Sequence, residues 1–433
     1  MCWLKRSGSL PLKLSLDTDA NWSIGAFYRD SKSQLDFKDP YFDLMHAIAT
    51  QSYRWKHLCF SFLPPPIFKS FRTLIATDLP LLEKVVESAS LIDVANHYRS
   101  LDLDSPILSV FQQSPSLRTL RLELVRDSDL ERIPLPWSRL TTLQITFTHP
   151  ATDGSYALQH LSRLCPLLLE CALRLYTEVE DPTTSPVPSK EWAHLRKLDL
   201  RFTGLPEGAY DSEIRRTFAA ITTPALTHLS VAISYTDHAG DNDPDCIAAV
   251  ENDVPFHNLI ERSRCELLSL DIHILLGPTF SKTLHVLPSL SSLTIHLVTL
   301  RSNPYNEDMS LHLDRTRQFS TAIQALTPSE GRAACPKLEQ IRFMYLRPQH
   351  TMLLLALVEA RALHTSLMRL SATFGMLPQA DIEILKSAQQ QAGLRDLGVE
   401  IQWEFERDLE DYPYSQRDSS PNRSLFRDVV PIA

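Results

Sequence analysis

The chain has 433 residues, 43% hydrophobic and 22% charged, with a formal net charge of −9. That is ample apolar material for a large buried core. The acidic balance, with a sequence pI of about 5.9, argues against a nucleic-acid binder, whose footprint is basic. Only 11 glycines occur, and no G-x-G-x-x-G, Walker A or G-x-S-x-G pattern is present. The motif-borne phosphate loops and nucleophile elbows that need glycine are therefore excluded.

From the N-terminus onward, one short unit recurs: apolar-x-x-apolar-x-apolar. Weak copies come first, at Trp55-Lys-His-Leu58-Cys-Phe60, Leu82-Glu-Lys-Val85 and Tyr98-Arg-Ser-Leu101-Asp-Leu103. Clear copies follow at Leu117–Leu122, Leu140–Ile145, Leu195–Leu200 and Leu226–Val231, with one more expected near Leu173 and Leu175. The series continues at Leu267–Ile272, Leu290–Ile295 and Leu338–Phe343, and closes at Leu367–Leu370 and Leu394–Val399. The last two apolar residues of a unit are two apart, so they share one face of a short strand. Stretches with helical spacing lie between units. Prolines at 115, 166, 224, 288 and 336 stand just before unit starts, where they end the preceding element. One strand with one short helix cannot bury both apolar faces alone, so neighbours must stack. The expected fold is α/β: an irregular leucine-rich-repeat-like solenoid with parallel strands on the concave side and helices on the convex side. Gaps around 176–190, 234–257 and 300–335 exceed the usual repeat of about 20–29 residues and read as inserted loops or helices on one face.

Seven cysteines are scattered without a C-x-x-C pair. Cys165 and Cys171 flank a leucine run and read as small buried hydrophobes. This usage points to a reducing compartment, the cytoplasm or the nucleus. The first residues carry no apolar signal-peptide core, and no apolar run reaches the roughly 18 residues of a membrane span. Neither a membrane nor a nucleic-acid partner is expected.

The units match leucine-rich repeats in their L-x-x-L-x-L part but lack the asparagine that usually follows; Val125, Thr203 and Val298 stand there. The run Trp3-Leu-Lys-Arg-Ser-Gly-Ser-Leu-Pro-Leu-Lys-Leu-Ser-Leu16 goes further. Together with Tyr53-Arg-Trp-Lys-His-Leu-Cys-Phe60, Leu79-Pro-Leu-Leu-Glu83 and Leu135-Pro-Trp137, it resembles the mushroom-type fungal F-box proteins. There a Trp-Leu-x-Arg-Ser-Gly segment follows the F-box and leads into irregular leucine-rich repeats. The resemblance makes residues 1–50 like the post-F-box linker and first strands; the recurring units make 51–405 the repeat array, and 406–433, without periodicity, is expected to be a disordered tail. The resemblance also implies substrate recognition for a Cullin–RING ubiquitin ligase. The F-box helices would lie before Trp3, so the Skp adaptor is expected as a partner only where an F-box precedes this sequence. The alternative is a stand-alone interaction scaffold without a ubiquitin role.

No enzyme, cofactor or metal is expected. His273 and His296 fall at outward strand positions and would be neighbours, but no H-E-x-x-H or H-x₃₋₅-H cluster completes a zinc site, so they read as solvated surface residues. Asp241–Asp245 begins like a calcium loop, yet Cys246 and Asn252 replace the required glycine and glutamate. No Ser-His-Asp set has an elbow or an oxyanion loop. The mixture of Arg118, Arg121 and Arg126 with Glu123 and Asp127 reads as a solvated face. The functional surface is instead the outward side of the strands. Its candidate protein-binding residues are Arg121, Glu123, Gln144, Lys197, Asp199, Arg201, Asp271, His273, His296 and Arg342, and the protein they bind is unknown.

Overall fold

A computed structural model of the chain describes residues 6–17, 40–61, 78–87, 111–123, 130–131, 133–147, 154–176, 189–205, 210–235, 256–274, 276–277, 279–297, 309–328, 333–346, 350–362, 365–374 and 399–405. Fifteen strands occur among these residues. β1 is Leu12–Asp17, β2 Trp55–Ser61, β3 Lys84–Glu87, β4 Thr119–Glu123, β5 Thr142–Thr146 and β6 Glu170–Tyr176. The middle strands are β7 Lys190–Glu191, β8 Lys197–Leu205, β9 Ile221–Thr222 and β10 His228–Tyr235. The last are β11 Ser269–His273, β12 Ser292–His296, β13 Gln340–Leu346, β14 Arg369–Phe374 and β15 Glu400–Phe405. Thirteen of them form one parallel sheet in strict chain order, while β7 and β9 pair separately as a small parallel ribbon.

Parallel neighbours need a crossover, and most crossovers here carry a helix. α1 (Pro40–Ala49) lies between β1 and β2, α2 (Gly154–Leu164) between β5 and β6, and α3 (Tyr210–Ala219) after β8. α4 (His257–Ser263), α5 (Phe280–His285), α6 (Met309–Leu326) and α7 (Thr351–Ala362) follow β10, β11, β12 and β13 in turn. The buried faces have helical spacing, as with Ala157, Leu158 and Leu161 of α2. Helix and strand side chains belong to a single apolar core. Successive helices touch along it: α2 with α3, α3 with α4, α5 with α6, and α6 with α7.

The local chemistry repeats at five strand entries. In Leu79-Pro-Leu-Leu82, Cys165-Pro-Leu-Leu168, Thr223-Pro-Ala-Leu226, Leu287-Pro-Ser-Leu290 and Cys335-Pro-Lys-Leu338, the leucine N–H donates to the carbonyl three residues back, at 3.1–3.4 Å. Proline at the second position presets the turn. The next carbonyl in each unit then accepts two N–H groups from the following unit. Arg118 O takes Thr141 and Thr142, Thr141 O takes Leu169 and Glu170, and Leu169 O takes Arg196 and Lys197. The same pattern runs without a gap from Glu83 O to Glu339 O, so the backbone itself ties unit to unit where no asparagine stands.

The unit leucines fall where the period-2 argument puts them. Leu120, Leu143, Leu198, Leu229, Leu270, Leu293, Ile341 and Leu370 are fully buried and lie side by side across the strands. The unit expected near Leu173 and Leu175 is β6, and it reads Leu168-x-x-Cys171-x-Leu173, with Cys171 in the place of a leucine opposite Leu143 and Leu198. Of the last expected unit, Leu394–Val399, only Val399 is among the described residues. Ile401 and Trp403 sit opposite Leu370 and Ala372, and Val399 is buried just before the strand; alternating Val399, Ile401, Trp403 and Phe405 offered two overlapping registers. β3 pairs directly with β4. Residues 98–103 themselves lie outside the described residues, as do Pro64–Pro66, Arg126, Asp127, residues 181–188 and 236–252, Leu394, Leu397 and the tail from 406.

Two segments quoted for the resemblance meet in space. Arg54, 1% exposed, donates to Leu10 O at 2.9 Å, to Ser7 Oγ at 2.7 Å and to Gln51 Oε1 at 3.0 Å. It clips the Ser-Gly turn ahead of β1 onto β2. Arg361 on α7 is likewise buried, and its fork reaches Leu326 O at 2.8 Å, Ala334 O at 2.6 Å and Cys335 O at 3.3 Å. It closes the C-terminus of α6 and the turn before β13.

Candidate binding face

In each strand the residues between the buried ones point away from the core. In β5 and β11 burial alternates strictly, half-exposed with buried. The described helices line the core side, so among the described residues the outward side chains form the open face of the sheet, arranged in rows by strand register.

Arg121, Gln144, Asp199, Asp271 and Arg342 share one row, which also passes through Ala172, Ser230 and Thr294. Glu123 takes its register position opposite Thr146, and Arg201 lies opposite Arg174 and Ala232. Ala232 in turn lies opposite His273. The expected residues thus share a face but not a site. At about 4.8 Å per strand, Arg121 and Arg342 stand on the order of 30 Å apart. Five of them gather at the centre: Asp199 and Arg201 on β8, Asp271 and His273 on β11, and His296 on β12.

The geometry of this centre is specific. Arg201, 9% exposed, pairs with Asp199, Nη2 to Oδ2 at 3.2 Å. His296 Nε2 lies 3.0 Å from Asp271 Oδ1. The rings of His273 and His296 stack with centroids 5.3 Å apart. The two histidines are therefore neighbours, as expected, but His273 is only half-exposed and His296 is buried. His296 is 5% exposed, with Asp271 and His273 of the neighbouring strand against it. Burial, then His296 and Arg201, push the His273 pKa down to about 4 against the pull of Asp271.

A pH effect follows. Folded His273 stays neutral to about pH 4, whereas an unfolded imidazole protonates near 6.5. Between these values the unfolded chain binds more protons. The contribution of this residue is whole above pH 6.5 and is lost as the pH falls toward 4. The melting temperature of His273→Asn should fall less than the parent's between pH 6.5 and 4. Parallel profiles would show that His273 does not titrate as described.

Several face residues escaped the sequence reading. Glu170 and Arg174 were hidden with their strand by Cys171. Glu170 is bound by Lys197 at 2.8 Å. At the far end, Arg369 of β14 pairs with Glu400 of β15 at 3.0 Å. Arg118 is exposed, and its guanidinium folds back on Pro115 O and Leu117 O.

The buried thiols lie on the core side. Burial pushes Cys165 and Cys335 up to about 12 and Cys171 well above the usual thiol range, so none of the three is a thiolate near neutrality. Cys59, Cys165, Cys171, Cys265 and Cys335 are all free. Among the described residues no group of three or more His, Cys, Asp or Glu is placed to hold a metal ion, and no helix is long and apolar enough to cross a membrane. Compared with known protein families and with curated proteins, the chain matches none.

Proposed function

We propose that the chain is a protein-binding solenoid of the leucine-rich-repeat kind, with the open sheet face as receptor. In this reading it resembles the substrate-recognition part of an F-box subunit of a ubiquitin ligase. The observation that carries it is the contrast between the two faces of the sheet. One side is a continuous apolar core; the other presents cross-strand rows of charged, amide and hydroxyl groups over thirteen strands. Stacked repeats bind along such extended faces, and mixed charge there serves specificity and encounter rate more than raw affinity.

The test reverses charge along the row. Arg121→Glu and Arg342→Glu remove exposed or half-exposed cations without touching the core. Glu359→Lys on the exposed side of α7 is the control. Proteins captured by the parent from its native lysate, quantified by mass spectrometry, should be lost from the face variants and kept by the control. Equal capture by all variants would sink the open face as receptor. Purified Skp adaptor supplies the second arm: binding supports the ubiquitin-ligase role, and its absence from the full natural protein leaves the stand-alone scaffold.

A further inference from the structure

The row of outward residues at the strand entries is charge-balanced except at one end. On β6 and β8 Lys197 is neutralised by Glu170, and on β14 and β15 Arg369 is neutralised by Glu400. At the other end the same row places Lys13, His57 and Lys84 side by side on β1, β2 and β3. Neither lysine has a carboxylate partner among the described residues. The one acid felt by His57, Glu83, is already held by Lys56 at 3.4 Å. Lys13 and Lys84 stand two strands apart across His57, so this end of the row carries a positive charge that, unlike its counterparts, no carboxylate among the described residues balances.

These three side chains surround a concavity of about 300 Å³, walled also by Ser15, Cys59 and Val86. With strands about 4.8 Å apart, the two lysine Cα atoms stand roughly 10 Å from each other with the imidazole between them. Burial first, and then Lys13 and Lys84, hold the His57 pKa below its ordinary value. The ring is thus a neutral N–H donor flanked by two ammonium groups. An acceptor using all three needs several oxygens and more than one charge. A carboxylate has two oxygens and one charge; a phosphate monoester offers three acceptor oxygens and a charge of about −1.5 to −2.

We propose that Lys13, His57 and Lys84 form a binding site for a phosphate monoester at the β1 end of the open face. The site does not depend on the protein-receptor reading above, and each can fail without the other. The experiment is calorimetric titration of the full chain with inorganic phosphate, and separately with a phosphoserine peptide beside its unphosphorylated form. Saturable binding of inorganic phosphate assigns a free-phosphate site. Binding of the phosphopeptide alone assigns a ligand that extends along the sheet. In either case Lys13→Ala/Lys84→Ala, and to a lesser degree Lys84→Gln, should weaken binding, the double variant by about tenfold or more. Lys197→Ala, a paired lysine of the same row, should leave it within about twofold. Neither lysine belongs to the apolar core, so the double variant should melt like the parent, and lost binding is then not lost folding. No saturable heat with either ligand, equal binding by the double variant, or an equal loss in Lys197→Ala overturns the proposal.

Discussion

Leu198→Asp should leave the chain unfolded at room temperature. Leu198 is 1% exposed in β8, between Cys171 of β6 and Leu229 of β10. The substitution removes a buried isobutyl group, worth about 2–5 kcal/mol in a site that cannot collapse. It also places a carboxyl group where no described side chain stands to receive it, at a further cost of several kcal/mol. Against a total stability of about 5–15 kcal/mol, that is decisive. Lys197→Asp, one residue earlier on the exposed side, costs a surface ion pair of about 0–1 kcal/mol and should fold. Far-ultraviolet circular dichroism during urea titration separates the two, and a Leu198→Asp chain that melts like the parent would refute the core assignment.

Arg361→Met should lower stability by about 3–5 kcal/mol. Methionine fills the same channel but abandons three carbonyls, Leu326 O, Ala334 O and Cys335 O, each costing about 1–3 kcal/mol when buried unpaired. Burial pulls the guanidinium pKa down only to about 10, so it stays charged at neutral pH and its hydrogen bonds are of the stronger, charge-assisted kind. Arg361→Lys should recover only part of the loss, because an ammonium group is a point donor without the planar fork that spans two chain segments. Hydrogen exchange at the C-terminal turn of α6 should rise first. A lysine variant as stable as the parent would show that charge, not the fork, holds the junction.

Most strands were legible because their evidence is local: two leucines two apart, with a proline turn ahead. The departures share one physical reason, that strand identity is settled across the sheet rather than along the chain. Cys171 serves as a leucine only because Leu143 and Leu198 flank it. Val399 and Ile401 alternate equally well, and only the pairing of β15 with β14 chooses between them.

The candidate face was legible to the same degree. Period-2 alternation placed Arg121, Gln144, Asp199, Asp271 and Arg342 on one side, and the structure adds that they share a row. The pairing of His296 with Asp271 and the stacking of His273 depend on which strands are neighbours, which no single strand encodes. Arg54 and Arg361 were the least legible. An arginine in a helix or beside a turn ordinarily reads as solvated, and only the fold turns its fork onto main-chain carbonyls.

Strict chain order in the sheet also bears on how the molecule assembles. Every strand of it finds its partner in the strand just made or just to come, apart from the small β7 and β9 detour. Contacts of short sequence separation carry a low closing entropy, so ordering can begin at any pair and spread in both directions. Lengthening a connection costs only about 0.6 kcal/mol per doubling. The α6 crossover between β12 and β13 is far longer than the one between β11 and β12, yet it leaves the register of β13 on β12 unbroken. A chain built this way can gain or shed length between strands over generations while its sheet continues as before.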